Sequence, residues 1–568
     1  MRNNVLYKIL FCFVVYVFSV SILYGNIREL HSAFENFTIN SKPGVYWYFM
    51  DGNISKDEIT KDLESMKIAG IGSVIFLEVN VGIPKGKIKF MSDEWKDCFK
   101  HAVKECERLD ICMILGIGPG WSGSGGPWVT PEKSMRHIVA SETNIDDKCG
   151  PKIYLSKPFP FQPYFGVKSL GNDSLRWYNY YKDLKVLAFP NDESDGNRIS
   201  DISEKALYVR APYSSRKGVK PYLTRETHFR EGISLNKIID LTEKLKGDTL
   251  YWKVPKGKWT VMRFGLRNNG AITRPAPEPG LGFECDKSDS LALKEHFSFF
   301  IDELLSYKST DDNTIDGGLK LLHLDSWEVG AQNWSPYLKE YFLENYGYDP
   351  MLYLPVLSGI TVENTDVSER FLWDLRQCMQ KLILEQHVRY VKDYARKKKM
   401  KISIEPYDMN PMQDLELGAL ADFPMCEFWT KGKNGYNTSF SVIEATSLAH
   451  IKGQNVVPAE AFTKRMDGWR EHPASIKNQS DWALGLGVTK FMFHTFQHQC
   501  LPDSLRPGMT MGLYGVHWDR NQTWWPYVGE FHKYLSRCQS ILQLGVSVND
   551  VLFVSPEEAP FVLSLIHI

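Results

Sequence analysis

Short apolar segments alternate with longer amphipathic segments along most of this chain. The apolar segments are rich in β-branched and aromatic residues, which favour strands, and the stretches between them repeat apolar residues at three- and four-residue intervals, which favours helices. Eight strand-like segments can be counted, beginning at Val45, Ser73, Cys112, Leu319, Lys401, Phe423, Asn455 and Lys490. Such alternation is typical of βα units around a parallel sheet, and eight units close a barrel. The pattern therefore predicts an α/β protein built as a (β/α)8 TIM-type barrel.

The helices between these strands are predicted from the same periodicity. Residues 56–69 place Ile59, Leu63 and Met66 on one face, and residues 95–109 show a similar apolar stripe. Residues 371–399 form a longer helical stretch that ends in a basic run, which suits a helix C-terminus because cations there offset the helix dipole. Residues 524–544 predict a closing helix after the last strand.

The alternation breaks between the third and fourth strands. Residues 131–300 are rich in Pro, Gly and Tyr and contain short alternating segments such as TLYWKV, so a β-rich insertion on a barrel loop is predicted. The catalytic barrel would then occupy residues 40–130 and 301–546. Residues 547–568 open with another strand-like run, VLFVSP, and are expected to begin a further, truncated domain.

The amino-terminal 25 residues have the composition of an export signal. Arg2 and Lys8 precede an apolar run from Ile9 to Leu23, which indicates a secretory signal peptide, with an uncleaved membrane anchor as the alternative. We therefore expect a periplasmic or extracellular protein with no other membrane contact. The chain has 10 cysteines without CxxC spacing, so no disulfide framework is expected.

Composition narrows the class of partner. The formal net charge is -1 and the signs are interspersed, which gives no basic surface for nucleic acid. Aromatic residues make up 13% of the chain, and several of its 16 Trp, such as Trp121, lie in loop-like sequence. Because the apolar face of a pyranose stacks on aromatic rings, an oligosaccharide or polysaccharide is the expected substrate. The oligomeric state stays open.

Acidic residues end most of the predicted strands. In a barrel of this type the reacting groups lie at the carboxyl ends of the strands, where the loops converge. The acids at these ends are Glu78, Asp325, Glu328, Glu405, Glu427 and Glu460. Such a cluster inside apolar sequence requires a cation or unequal pKa values, although any one acid could have a purely structural role.

Two of these acids suit glycoside hydrolysis, which needs one carboxylic acid and one carboxylate on either side of the scissile bond. Glu328 and Glu460 end the fourth and seventh predicted strands, on opposite sides of the barrel, and are the predicted catalytic pair. Glu405 and Glu427 lie on the strands between them and could bind calcium through oxygen ligands. Asp51, Trp121, Asp325, Glu405 and His494 are the candidate substrate-binding residues.

Two further motifs have more than one interpretation. The glycine-rich run from Ile114 to Trp128 could be a sugar platform or a tight structural turn, and it lacks the GK[ST] sequence of a phosphate-binding loop. His494 and His498 are four residues apart and could bind a metal. Without an HExxH motif on a helix, contacts to sugar hydroxyls are the favoured interpretation.

Together these motifs resemble glycoside hydrolase family 106, the α-L-rhamnosidases. The resemblance extends over residues 40–555 and rests on YWYFMDGNISKDEITKDLESMKIAGIG, GPGWSGSGGPW, GLGFECDKSDS, LHLDSWEVG, SIEPYDMN, VPAEAF and HTFQHQ. It implies inverting, calcium-assisted hydrolysis of terminal α-L-rhamnosides, with the glutamate of LHLDSWE (Glu328) as general acid and that of VPAEAF (Glu460) as general base. Family members continue beyond the barrel into β-sandwich domains.

Two alternatives remain from the sequence. In a retaining glycosidase Glu460 would be the nucleophile, and the two carboxyl groups would stand about 5 to 5.5 Å apart rather than the roughly 6.5 to 9.5 Å of an inverting enzyme. In the other alternative the protein binds sugar without turnover.

Overall fold

The computed structural model describes residues 27–191, 198–210, 223, 224, 226, 228–309, 317–407, 413–430, 439–466 and 468–552. The predicted signal peptide lies outside the described residues, and so does the predicted following domain from residue 553 onward. Within the described ranges, no helix combines the length and the apolar character needed to cross a membrane.

Nine parallel strands form one barrel-like sheet. In chain order, and named below as the first to the ninth strand, they are Gly44–Met50, Ser73–Val79, Cys112–Gly116, Gly318–Leu324, Lys401–Ile404, Phe423–Pro424, Cys426–Trp429, Pro458–Thr463 and Lys490–Gln497. The sixth and seventh strands are the two edges of the sheet, and only Met425 separates them in the chain. One residue thus joins the two edges, so the sheet is nearly closed. The predicted sixth strand is divided in two at this point.

The side chains of the first strand are buried on both faces of the sheet. Tyr46, Tyr48 and Met50 pack with Ile75 and Met492 inside the barrel. The intervening Val45, Trp47 and Phe49 belong to the larger core between the sheet and the surrounding helices. Successive side chains of a strand point to opposite faces, so this wholly apolar strand is buried on both.

Helices surround the sheet, as the periodicity predicts, and the short helices Ser174–Asn179 and Ile202–Lys205 lie within the β-rich stretch that separates the third and fourth strands. The others are Lys56–Ile68, Asp93–Arg108, Ser290–Phe299, Ile301–Leu305, Leu338–Tyr346, Thr365–Ile383, Arg389–Lys397, Asp414–Gly418, Ser439–Ile451, Pro473–Gly485 and Gly529–Leu544. The helix from Thr365 begins at an N-cap, because the Asn364 side chain accepts a hydrogen bond from the Val367 amide at 2.9 Å. A π-helical turn, Leu384–Val388, continues it into the next helix, so the predicted long helical stretch is confirmed.

Residues between the third and fourth sheet strands are rich in β structure. A four-stranded antiparallel sheet contains Arg136–Asp146, Lys182–Pro190, Ile239–Asp240 and Lys258–Asn268. A three-stranded sheet contains Lys152–Tyr154, Leu245–Lys246 and Thr249–Tyr251, and Gly125–Gly126 pairs with Phe283–Glu284. The third and fourth strands of the barrel-like sheet nevertheless pair directly with each other.

A buried polar network ties the beginning of the barrel to its end. Asp62, on the first helix, binds His498 Nδ1 at 2.8 Å and Arg520 Nε at 2.7 Å, and Arg520 also pairs with Glu58. His498 thus has a structural partner here and does not join His494 at the barrel mouth. The nine cysteines in the described part of the chain are free thiols, as expected.

Candidate active site

The carboxyl ends of the strands surround a cavity of about 650 Å³. Its wall includes four acids, Asp325, Glu328, Glu427 and Glu460, together with Arg274, His494 and the rings of Tyr48, Trp121, Tyr164, Phe165, Tyr407, Trp429, Phe440 and Tyr514. Aromatic rings with a few converging polar groups are typical of small-ligand sites of this volume.

Glu328 lies in the loop that follows the fourth strand. The loop is held in place by Trp327, whose indole donates a 3.2 Å hydrogen bond to the Gly330 carbonyl and whose own carbonyl accepts one from Arg210 at 2.6 Å. Burial raises the pKa of Glu328, and a hydrogen bond from Trp121 opposes part of this rise. A carboxyl group with a raised pKa keeps its proton and can act as an acid.

Glu460 and Glu427 are register partners on the eighth and seventh strands. The Thr463 hydroxyl donates a hydrogen bond to Glu460. Burial raises the pKa of Glu460, and the negative charges of Glu427, Glu405 and Asp325 raise it further. These carboxyl groups therefore hold protons that a nearby cation would release.

Glu405 lies just below the cavity wall, inside the barrel. Its carboxylate accepts 2.7 Å hydrogen bonds from the hydroxyl groups of Tyr46 and Tyr407. One ligand atom from each of Glu405, Asp325 and His323 lies within 4.8 Å of the others. This buried group is the candidate cation site among the described residues.

His323 is the member of this group that sequence reasoning missed. It lies two residues before Asp325, and therefore on the same face of the fourth strand, with Nε2 3.2 Å from the Asp325 carboxylate. Its Nδ1 is 2.8 Å from the Ser403 hydroxyl. The two-residue spacing is the signal that could have found it.

His494 extends from the last strand into the cavity as a neutral group. Burial lowers its pKa to about 3, and its Nε2 lies 3.9 Å from a Glu460 oxygen. A neutral imidazole offers one donor and one acceptor, which suits sugar hydroxyls. His494 therefore presents one donor and one acceptor at the cavity wall.

Two acids of the predicted mouth lie elsewhere. Asp51 follows the first strand in a left-handed conformation (φ 46°) and is not part of the cavity wall; the nearest charges are those of Lys85 and Glu278. Glu78 faces outward, because its neighbour Leu77 occupies the barrel interior, and it accepts hydrogen bonds from the Trp95 indole and the Gly52 amide. Of the seven remaining predicted residues, Glu405 lies just below the cavity wall, and the other six meet at the cavity: Trp121, Asp325, Glu328, Glu427, Glu460 and His494.

The glycine-rich loop places an aromatic ring at the cavity and contains a tight turn. Trp121 lines the cavity and packs edge-on against Tyr48. Gly120 has φ +76°, and a Cβ there would lie 2.5 Å from the Arg274 carbonyl carbon, so glycine is required. Beneath the loop, Lys287 donates a 2.8 Å hydrogen bond to Ser124 and forms a fully buried ion pair with Glu284.

A parallel barrel-like sheet that carries paired acids and aromatic rings at its carboxyl ends is an arrangement typical of glycoside hydrolases. The chain belongs to glycoside hydrolase family 106, described as alpha-L-rhamnosidase, whose sequence model matches residues 37–567.

Two similar proteins support this assignment. The rhamnosidase from Novosphingobium sp. PP1Y has a solved structure that matches with a TM-score of 0.74 and 26% identity, over 91% of this chain and 61% of that one. A protein of Formosa agariphila named "Putative beta-glucuronidase" is 35% identical over 95% of this chain and 44% of its own length. The chain thus spans less than two thirds of the length of either protein.

Proposed function

We propose that this protein removes terminal α-L-rhamnose from plant or bacterial polysaccharide by an inverting, calcium-assisted mechanism. The observation that carries the proposal is that Glu328 and Glu460 line one cavity from different strands of the sheet. Membership of the rhamnosidase family supports the choice of sugar.

In this mechanism the two glutamates act on opposite faces of the sugar ring. Protonated Glu328 donates its proton to the glycosidic oxygen as the bond from that oxygen to the anomeric carbon breaks. Glu460, as a carboxylate, takes a proton from the water that attacks the anomeric carbon. The products are free rhamnose of inverted configuration and the alcohol of the remaining glycan.

Glu460 must lose its proton before it can serve as the base. The sequence points to Glu405 and Glu427 as calcium ligands, and the geometry adds Asp325, whose carboxylate lies beside that of Glu405. These carboxylate oxygens fit a hard cation, whereas the imidazole of His323 is better placed to orient Asp325 by hydrogen bonding. Bound calcium would supply positive charge and coordinate sugar hydroxyl oxygens.

The remaining cavity residues have roles in substrate binding under this proposal. Trp121 offers a ring for the apolar face of the sugar, and His494 and Asp325 offer groups for its hydroxyls. Asp51 has no role in the proposed mechanism, because it is not part of the cavity wall.

Product stereochemistry tests the mechanism. Proton NMR during hydrolysis of an aryl α-L-rhamnoside should show the β-anomer of rhamnose first, with the α-anomer appearing only by mutarotation. Initial release of the α-anomer would establish the retaining alternative. Because one relative is named a β-glucuronidase, aryl β-D-glucuronide belongs in the same screen, and its exclusive hydrolysis would overturn the proposed sugar.

We also propose the finer architecture and the location. The division at Met425 interrupts one strand of a (β/α)8 barrel spanning 40–130 and 301–546, and residues 131–300 are an insertion in it. We further propose that residues 1–25 direct export to the periplasm or beyond.

A further inference from the structure

Arg274 is a cation on the cavity wall that forms no ion pair among the described residues. Its guanidinium lies 3.9 Å from the centre of the Phe165 ring, and none of the ion pairs or side-chain hydrogen bonds within the described ranges involves it. A guanidinium stacked on a ring keeps its in-plane N–H donors available for a ligand.

The backbone of Arg274 is fixed by the glycine-rich loop. Its carbonyl accepts 2.9 Å hydrogen bonds from the amides of Trp121 and Ser122, and its own amide donates to the Ser122 hydroxyl at 2.8 Å. Arg274 and Trp121 are therefore positioned together, on the cavity wall that also includes Glu328.

Arg274 and Glu328 line the same cavity, and the Arg274 backbone is bonded to the loop that carries Trp121 on that wall. The positive charge of Arg274 opposes the rise in the pKa of Glu328 that burial causes. The general acid protonates the oxygen that joins rhamnose to the next sugar, so the Glu328 side is where that next sugar lies.

We propose that Arg274 is a specificity-determining residue that binds the carboxylate of a uronic acid attached to the terminal rhamnose. This inference rests on the proposed function and names the class of its substrate. Guanidinium and carboxylate are both planar and pair through two parallel hydrogen bonds, so a uronic acid is favoured over its neutral counterpart. A cavity of about 650 Å³ has room for a second sugar beside the rhamnose.

A second role for Arg274 would be to balance the charges of Glu328 and Asp325 without contacting substrate. The two roles differ in what they change. Charge balance affects the acid equally for every aglycone, whereas carboxylate binding affects only the acidic substrate. The ratio of rates on two substrates that differ only in that carboxylate therefore separates them.

The experiment compares α-L-rhamnosyl-glucuronate with α-L-rhamnosyl-glucose of the same linkage. We expect wild type to have a kcat/KM about tenfold or more higher for the acidic disaccharide. The Arg274→Met variant should bring the ratio close to one, and Arg274→Lys should retain part of it. Lys85→Met is the matched control, because Lys85 is an exposed cation, paired with Glu278, that does not line the cavity; it should keep the wild-type ratio.

Equal kcat/KM values for the two disaccharides in wild type would overturn the inference, and so would an equal loss on both in Arg274→Met. If wild type hydrolyses neither, the proposed function fails, but calorimetric affinities for the two disaccharides still decide the role of Arg274. Tighter binding of the acidic one, lost in Arg274→Met, would support the inference; equal affinities would contradict it.

Discussion

Glu427 and Glu460 are register partners in adjacent parallel strands, and both line the cavity. Two carboxylates this close cannot both ionise without a compensating positive charge. The pairing that places Glu460 beside Glu427 therefore keeps it protonated. Calcium bound beside this pair would free Glu460 to act as a base.

Replacing either catalytic glutamate should remove most of the activity. Glu328→Gln cannot donate a proton and Glu460→Gln cannot accept one, and each such step contributes roughly 10²- to 10⁴-fold. We expect kcat on a natural rhamnoside to fall by that factor in both variants. On a nitrophenyl rhamnoside, whose leaving group needs no proton, Glu328→Gln should lose much less than Glu460→Gln.

The control for this pair is Glu344→Gln, at an exposed helical position, which should match wild type. Activity of Glu328→Gln and Glu460→Gln equal to that of Glu344→Gln on both substrates would remove these residues from the mechanism.

The alkaline limb of the pH–rate profile should report Glu328. An acid catalyst must be protonated, so kcat/KM falls as pH rises through its pKa. The hydrogen bond from Trp121 holds that pKa down against burial. Trp121→Phe keeps a ring but removes the donor, so the alkaline limb should move to higher pH. Tyr514→Phe, a change elsewhere on the same wall, should leave the limb in place; a limb that moved down or stayed fixed in Trp121→Phe would contradict the assignment.

Calcium should stabilise the protein through Asp325 and Glu405. A ligand at 100 times its Kd adds about 2.7 kcal/mol to the free energy of unfolding. After chelation, calcium should therefore raise the Tm of wild type and of Glu344→Gln, but not that of Asp325→Asn or Glu405→Gln. Each variant is compared with itself in chelator, so its intrinsic stability cancels. If millimolar calcium does not change the Tm of wild type, the proposed calcium site is wrong.

Lys287→Met should destabilise the protein strongly. The Lys287 and Glu284 side chains are both fully buried, and removing one partner leaves an uncompensated charge, which costs about 3 to 5 kcal/mol. Urea unfolding measures this loss. Lys56→Met breaks an exposed pair with Asp97 and should leave the free energy of unfolding nearly unchanged. Similar decreases in the free energy of unfolding of the two variants would show that the buried pair contributes no more to stability than the exposed pair.

Glu78 should make stability fall as pH rises. Burial raises its pKa to about 7 from an unfolded value near 4.5. Between these values the folded state binds a proton that the unfolded state does not, so its contribution is complete below pH 4.5 and lost by pH 7, a change of about 3 kcal/mol. Glu78→Gln should lower stability at all pH values and flatten this slope. If the free energies of unfolding of wild type and Glu78→Gln differ by the same amount at pH 5 and at pH 8, Glu78 is not the cause of this pH dependence.

Sequence periodicity predicted the strands and helices well because a parallel sheet buries both faces of each strand. The first strand and the helix from Lys56 follow their patterns closely. The division of the sixth strand at Met425 was not predictable, because FPMCEFW is one apolar run whose interruption depends on barrel closure.

The meeting of Glu328 and Glu460 at one cavity was predictable, because barrel geometry gathers acids from strand ends. Glu78 was wrongly grouped with them, since one residue of register decides whether a side chain faces the cavity or the helices. The place of Arg274 in the cavity wall could not be predicted from the sequence. It belongs to the β-rich stretch and lies far along the chain from most of the strands around the cavity. Asp51 was an error of the same origin as Glu78: position at a strand end does not fix direction.

During synthesis from the amino end, the first strand of the barrel has a free edge until its second neighbour, the last strand, has been made. The contact between Asp62 and Arg520 can form only when nearly all the described chain is present. Loop closure over such a sequence distance is slow, and an unpaired edge favours aggregation in the meantime. A chaperone that delays collapse until translation is complete would therefore raise the yield of folded enzyme more than one that acts on the first hundred residues alone.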